Sequence, residues 1–83
     1  MNTLPVQPNP FTIEVASVVD RDDLVVEIWV GQELFAELRF ASGSACLQVY
    51  PAPGGGRWEL PPEELHAALQ QARDKLGPSP SGP

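Results

Sequence analysis

The chain has one cysteine, one histidine, one tyrosine and only five basic side chains among 83 residues. Each scarcity removes a class of function. A lone Cys46 rules out an internal disulfide and a cysteine-based zinc site, and His66 as the only histidine leaves no set of soft ligands for a transition metal. Arg21, Arg39, Arg57, Arg73 and Lys75 are scattered against eleven acidic residues, for a net charge of −6. Contact with a phosphate backbone needs clustered lysine and arginine, so neither nucleic acid nor an anionic membrane is expected as a partner. A basic protein is compatible, because complementary fields speed encounter. No apolar run approaches membrane-spanning length, and no basic segment leads into an apolar stretch at the start. A cytoplasmic location is the default expectation.

Proline is plentiful but unevenly placed. Pro5, Pro8, Pro10, Pro78, Pro80 and Pro83, six of the ten, lie in residues 1–10 and 77–83. These two segments read as a Pro-rich arm and a Pro/Ser/Gly tail, both flexible. They leave a single domain over residues 11–76, a size at which about 60% of the chain's surface is buried and stability is marginal.

Within that domain four segments have strand character. In "FTIEVASVV" (11–19), Phe11, Ile13, Val15 and Val19 share one face. In "LVVEIWV" (24–30), Leu24, Val26, Ile28 and Val30 oppose Glu27 and Trp29. "LFAELRF" (34–40) sets Leu34, Ala36, Leu38 and Phe40 against Phe35, Glu37 and Arg39. "ACLQVYP" (45–51) sets Ala45, Leu47 and Val49 against Cys46, Gln48 and Tyr50.

Paired residues of antiparallel strands share a face, so the aliphatic sets restrict the registers. A four-residue turn at 20–23 pairs Val19 with Leu24 and Val15 with Ile28. Another at 41–44 pairs Phe40 with Ala45 and Leu38 with Leu47. Between them, Gly31-Gln32 has the form of a two-residue II′ turn, but a regular ladder from it would set Glu27 opposite Ala36 on the aliphatic face. Burying an unpaired carboxylate costs several kcal/mol. A three-residue loop or a bulge, pairing Val30 with Leu34 and Ile28 with Ala36, is therefore expected.

"LPPEELHAALQQARDKLG" (60–77) has helical period, with Leu65, Ala68, Leu69, Ala72 and Leu76 on one stripe. Pro62 suits the first turn, Glu63 and Glu64 the positive dipole end, Arg73 and Lys75 the negative end, and Gly77 the stop. The fold class is α+β: a four-stranded antiparallel meander with one C-terminal helix packed on its aliphatic face. Four strands make a sheet roughly 20 Å wide, whereas a helix is about 10 Å across. Trp58 and Leu60, or Leu4 and Val6, or another chain must cover the rest.

Chemistry is sparse. His66 lies beside the helix stripe and reads as a boundary residue half covered by the sheet edge, without the partners that nucleophilic catalysis requires. Cys46 has no basic neighbour in sequence to favour its thiolate. "PGGGR" (53–57) lacks the Gly-Lys-Ser/Thr ending of a phosphate loop and does not open a helix directly. "DRDD" (20–23) lacks the twelve-residue pattern of a calcium loop and reads as a solvated turn. No cofactor, metal or enzymatic activity is expected.

The face away from the helix is richer. Trp29, Phe35 and Tyr50 are expected there with Glu14, Glu27, Glu37 and Arg39, a set with the composition of an interface: aromatic anchors in a charged rim. Cross-strand aromatic pairs that merely stabilise a sheet have the same composition. The first and last strands also offer unpaired backbone edges.

"VEIWVGQELFAELRF" followed by "YPAPGGGRWELPPEELHAALQQARDKL" resembles small bacterial proteins built as a β-meander with a terminal helix, some of them immunity proteins of polymorphic-toxin systems. The resemblance spans most of the domain and carries no specific motif. It implies an inhibitor that binds a protein partner by occlusion rather than a catalyst. The alternative is a homodimeric structural or accessory subunit, with the uncovered sheet face buried between copies.

Overall fold

The computed structural model describes residues 10–16 and 24–78. Strands β1 (Phe11–Ala16), β2 (Val25–Val30), β3 (Glu33–Ala41) and β4 (Ser44–Val49) form one antiparallel sheet in the order β1-β2-β3-β4. A short 3-10 turn, Pro53–Gly55, leads on to the helix α1 (Pro62–Leu76), which packs against β1, β2 and β3. The α+β meander with a terminal helix is thus as expected. Of the anticipated arm over residues 1–10 only Pro10 is described, and of the tail over 77–83 only Gly77 and Pro78; the turn at 20–23 and the Val19–Leu24 pair lie outside the described residues.

In the first hairpin Ile13 pairs with Ile28 and Val15 with Val26, two residues away from the expected pairing of Val15 with Ile28. An even slide leaves every side chain on its face. The slide sets Phe11 opposite Val30, where the expected register would have left it opposite Gln32 in the turn. The ladder continues past the strand through the Gly31 N–H, which donates to the Pro10 carbonyl at 3.1 Å.

The second hairpin combines the two alternatives that the sequence set against each other. Its turn has two residues, Gly31 and Gln32, and Gly31 adopts a φ of 59°, which glycine alone accepts without strain at the first position of a II′ turn. Val30 pairs with Glu33 and Trp29 with Leu34. A register shift then lets Ile28 pair with Ala36, leaving Phe35 as the extra residue of a β-bulge. The bulge keeps Glu27 off the aliphatic face, as the burial argument required, but it lies at Phe35 and not in the loop. Leu34 consequently shares a face with Trp29, and Phe35 turns inward beside Ala36.

The third hairpin keeps its expected register, with Phe40 opposite Ala45 and Leu38 opposite Leu47. Its turn is tighter than the four residues anticipated. Ala41 pairs with Ser44, so only Ser42 and Gly43 connect the strands, at φ 54° and 82°. Positive φ at both positions defines a type I′ turn, whose twist matches that of the strands it joins.

The core contains Phe11, Val26, Ile28, Phe35, Ala36 and Leu38 from the sheet and Ala68, Ala72 and Leu76 from α1. The three helix residues recur every fourth position, and two of them are alanines, which lets the helix backbone approach the sheet closely. Leu65 and Leu69 flank them. Helix α1 runs from Pro62 to Leu76 and is capped by Gly77, whose N–H donates to the Arg73 carbonyl at 3.3 Å. The Arg73 guanidinium lies 5.7 Å from the centre of the Phe40 ring and also donates to the Gly77 carbonyl at 2.7 Å.

One helix does not cover the sheet. The connection between β4 and α1 brings Trp58 and Leu60 against the core. Trp58 meets Phe35 edge-on at 5.2 Å, and its Nε1–H donates to the Tyr50 carbonyl at 2.8 Å. Strand β4 remains open, with all six of its residues exposed. Leu47 is 39% and Val49 52% exposed, although their partners Leu38 and Ala36 are buried.

Candidate functional site

The face of the sheet turned away from α1 is ordered in rows across the strands, because pairing sets equivalent residues side by side. One row runs through Glu14, Glu27, Glu37 and Gln48, each paired with the next. Towards the Gly31 turn, Thr12 pairs with Trp29 and Trp29 with Leu34. Tyr50 ends this second row, its N–H donating to the Phe35 carbonyl at 2.9 Å. On the other side of the glutamates Ala16 pairs with Val25, and Arg39 with Cys46. The slide in β1 creates the acidic row, since the register expected from sequence would set Glu14 opposite Trp29.

Each aromatic is tied to a glutamate. The Trp29 Nε1–H donates to Glu27 Oε1 at 3.1 Å. The Tyr50 hydroxyl hydrogen-bonds to Glu37, and this bond raises the phenol pKa above its ordinary 10.0, helped by partial desolvation and the charge of Glu37 and opposed by Arg39. Arg39 itself donates to Gln48 Oε1 at 2.6 Å. Among the described residues the ion pair formed is Arg57 with Glu59, at 3.7 Å on the exposed connection; Arg39, the cation on this face, is bonded to Gln48 and not to a glutamate. Glu14 is exposed, while Glu27 and Glu37 are half-buried.

Of the seven residues expected at this site, Trp29, Tyr50, Glu14, Glu27, Glu37 and Arg39 come together on one face. Phe35 does not. It is 6% exposed and belongs to the core, because the bulge reverses its direction. Leu34 takes its place beside Trp29, having been assigned to the aliphatic face from its alternation in sequence. A bulge could be inferred from the conflict between the Gly31-Gln32 turn and Glu27, but its position could not.

The other candidates stand apart. His66 is exposed on α1 rather than half covered. Cys46 is exposed on β4, with Arg39 as the cross-strand neighbour that its sequence context lacked. Among the described residues no group of three histidine, cysteine, aspartate or glutamate side chains is arranged to hold a metal ion. No described helix is long and apolar enough to cross a membrane.

Tyr50 is the only tyrosine in the chain, so its titration can be read directly from phenolate absorbance. The midpoint is expected above pH 10.0, and Glu37→Ala should lower it towards that value by removing both the hydrogen bond and the charge. The folded state favours the neutral phenol, so any stabilisation from this contact is present below the unfolded pKa and is lost as pH rises through the folded one. An unchanged midpoint in Glu37→Ala would refute the pairing. Compared with known protein families, with curated proteins and with solved structures, the chain matches none.

Proposed function

We propose that this protein is a small acidic interaction module that binds a basic protein partner through the face bearing Trp29 and Tyr50, and acts by occlusion. The reading rests on the row of Glu14, Glu27 and Glu37. Like charges directly opposite one another in a sheet destabilise it, and here two such pairs adjoin, with the nearby Arg39 bonded to Gln48 rather than ion-paired with a glutamate. A cationic partner laid across the row relieves that repulsion, so the strain of the free protein becomes part of the binding free energy. Trp29 and Leu34, with Tyr50 at the end of the row, supply the apolar contact that a purely electrostatic surface lacks. The surrounding charges steer the approach.

The resemblance to immunity proteins fits such a role: a stoichiometric inhibitor of a basic toxin, acting in the cytoplasm, needs a surface of this kind and no catalytic group. The test is affinity capture from the source cell, followed by titration of the captured partner against variants. Trp29→Ala should weaken binding at least tenfold, as truncating a central aromatic anchor does. The double variant Glu27→Gln, Glu37→Gln should slow association and flatten its dependence on salt. A partner held equally well by Trp29→Ala, or bound with no salt dependence, would reject this face as the site.

A further inference from the structure

We infer that β4 pairs edge to edge with β4 of a second copy, in antiparallel register about a two-fold axis at Leu47. This surface is separate from the outward face, and the inference does not depend on the function proposed for that face. Among the described residues strand β4 has one neighbour in the sheet, β3. The bond from the Tyr50 N–H to the Phe35 carbonyl sets the alternation along the strand: residues 44, 46 and 48 direct their backbone groups at β3, and Ala45, Leu47 and Val49 direct theirs at the open edge. Those three residues also carry apolar side chains that α1 leaves uncovered, with Leu47 39% and Val49 52% exposed; Val15, at 46%, is the other large exposed aliphatic, on the opposite edge strand. Free hydrogen-bonding groups and bare aliphatic surface therefore coincide on the same residues.

Proteins usually blunt such an edge with a charge, a proline or a bulge. The β4 sequence, SACLQV, has no charge and no proline, and its pairing with β3 is unbroken. The missing charge also identifies the occupant. In a chain of net charge −6, a basic partner is drawn to carboxylates, and this strip has none. A second copy, itself acidic, meets no repulsion along a neutral seam. The strand is self-complementary as well. The axis sets Leu47 opposite Leu47 and Ala45 opposite Val49, apolar against apolar, while Cys46 faces Gln48 on the other side. The three outward-directed residues of each copy then exchange six backbone hydrogen bonds, and the two sheets become one. A seam six residues long, about 20 Å, falls below the area of a stable interface, so the dimer is weak and forms with rising concentration.

Sedimentation equilibrium of the full chain from micromolar to millimolar concentration should show the average mass rising towards twice that of the monomer. Leu47→Lys places two ammonium groups opposite each other at the axis and should hold the chain as a monomer throughout. Its circular dichroism should be unchanged, since the site is already exposed. In a Cys46→Ser background, Leu47→Cys should form a disulfide-linked dimer under mild oxidation, because the axis brings residue 47 against itself at a separation a disulfide can span. Val49→Cys, opposite Ala45, should not. A mass that stays monomeric at every concentration, a Leu47→Lys chain that dimerises like the wild type, or a Val49→Cys chain that cross-links as readily as Leu47→Cys would each overturn the proposal.

Discussion

Replacing Phe35 by alanine is expected to destabilise the domain by about 3–5 kcal/mol, the usual loss for truncating a buried phenylalanine. Phe35 stands where three parts of the chain meet. Its ring contacts Phe11 of β1 at 6.3 Å and an interplanar angle of 64°, and Trp58 of the connection to α1 at 5.2 Å and 83°. Edge-to-face pairs of this kind contribute roughly 0.5–1.5 kcal/mol beyond the area they bury. Removing the ring dissolves both pairs and leaves a cavity between the end of the hairpin and the connection. Folded proteins are stable by about 5–15 kcal/mol, and a domain this small belongs near the bottom of that range. The variant should therefore be largely unfolded at low urea. The measurement is the urea midpoint of Phe35→Ala beside that of Trp29→Ala, whose half-exposed ring should cost much less. A loss within about 0.5 kcal/mol, as for an ordinary surface substitution, would return Phe35 to the outward face and undo the bulge.

Enlarging Ala72 to leucine should cost about 1–3 kcal/mol, although it adds apolar surface to an apolar site. Ala72 is 0% and Ala68 1% exposed, in one cluster with Val26 and Ile28. The small side chains let α1 lie close to the central strands, and Ala72, with no exposed surface, is enclosed by its neighbours. The helix must lift away or the side chain must leave its preferred rotamer, and either response disturbs the contacts of Ala68 and Leu76. For a domain of 60–100 residues each kcal/mol lowers Tm by about 4–8 °C, so thermal unfolding of Ala72→Leu reads the effect directly. Ala67→Leu is the control. Ala67 is exposed on the same helix and carries the same change in helix propensity, so the difference between the two variants isolates packing. Equal melting temperatures would mean that α1 does not rest on the sheet through Ala72.

Both substitutions probe what alternation can and cannot specify. The amphipathic stripe of α1, the termination at Gly77, the aliphatic parity of β2 and β4 and the outward direction of Glu14, Glu27 and Glu37 were all legible, because each follows from periodicity within one segment. The pairing of Leu38 with Leu47 was legible too, since the closing turn could lengthen or shorten symmetrically without altering it. The slide of β1 was not. Moving a strand by two residues returns every side chain to its own face, so hydrophobic pattern cannot distinguish the two registers, and the choice falls to Phe11 gaining Val30 and Phe35 as neighbours.

The bulge is the clearest division between the two levels. The residues by themselves determined that Glu27 must stay off the aliphatic face and that Gly31-Gln32 favours a two-residue turn, and these demands conflict in a regular ladder. Only the assembled core decided that the extra residue would be Phe35, because a ring turned inward there meets Phe11 and Trp58, which come from distant parts of the chain. In the same way the net acidity is a property of composition, but the alignment of three glutamates depends on the slide in β1. The exposure of β4 depends on where α1 lies across a sheet wider than itself. A period of two assigns each residue to a face. Which residues stand beside it on that face, and whether anything covers them, is set by packing between segments far apart in sequence.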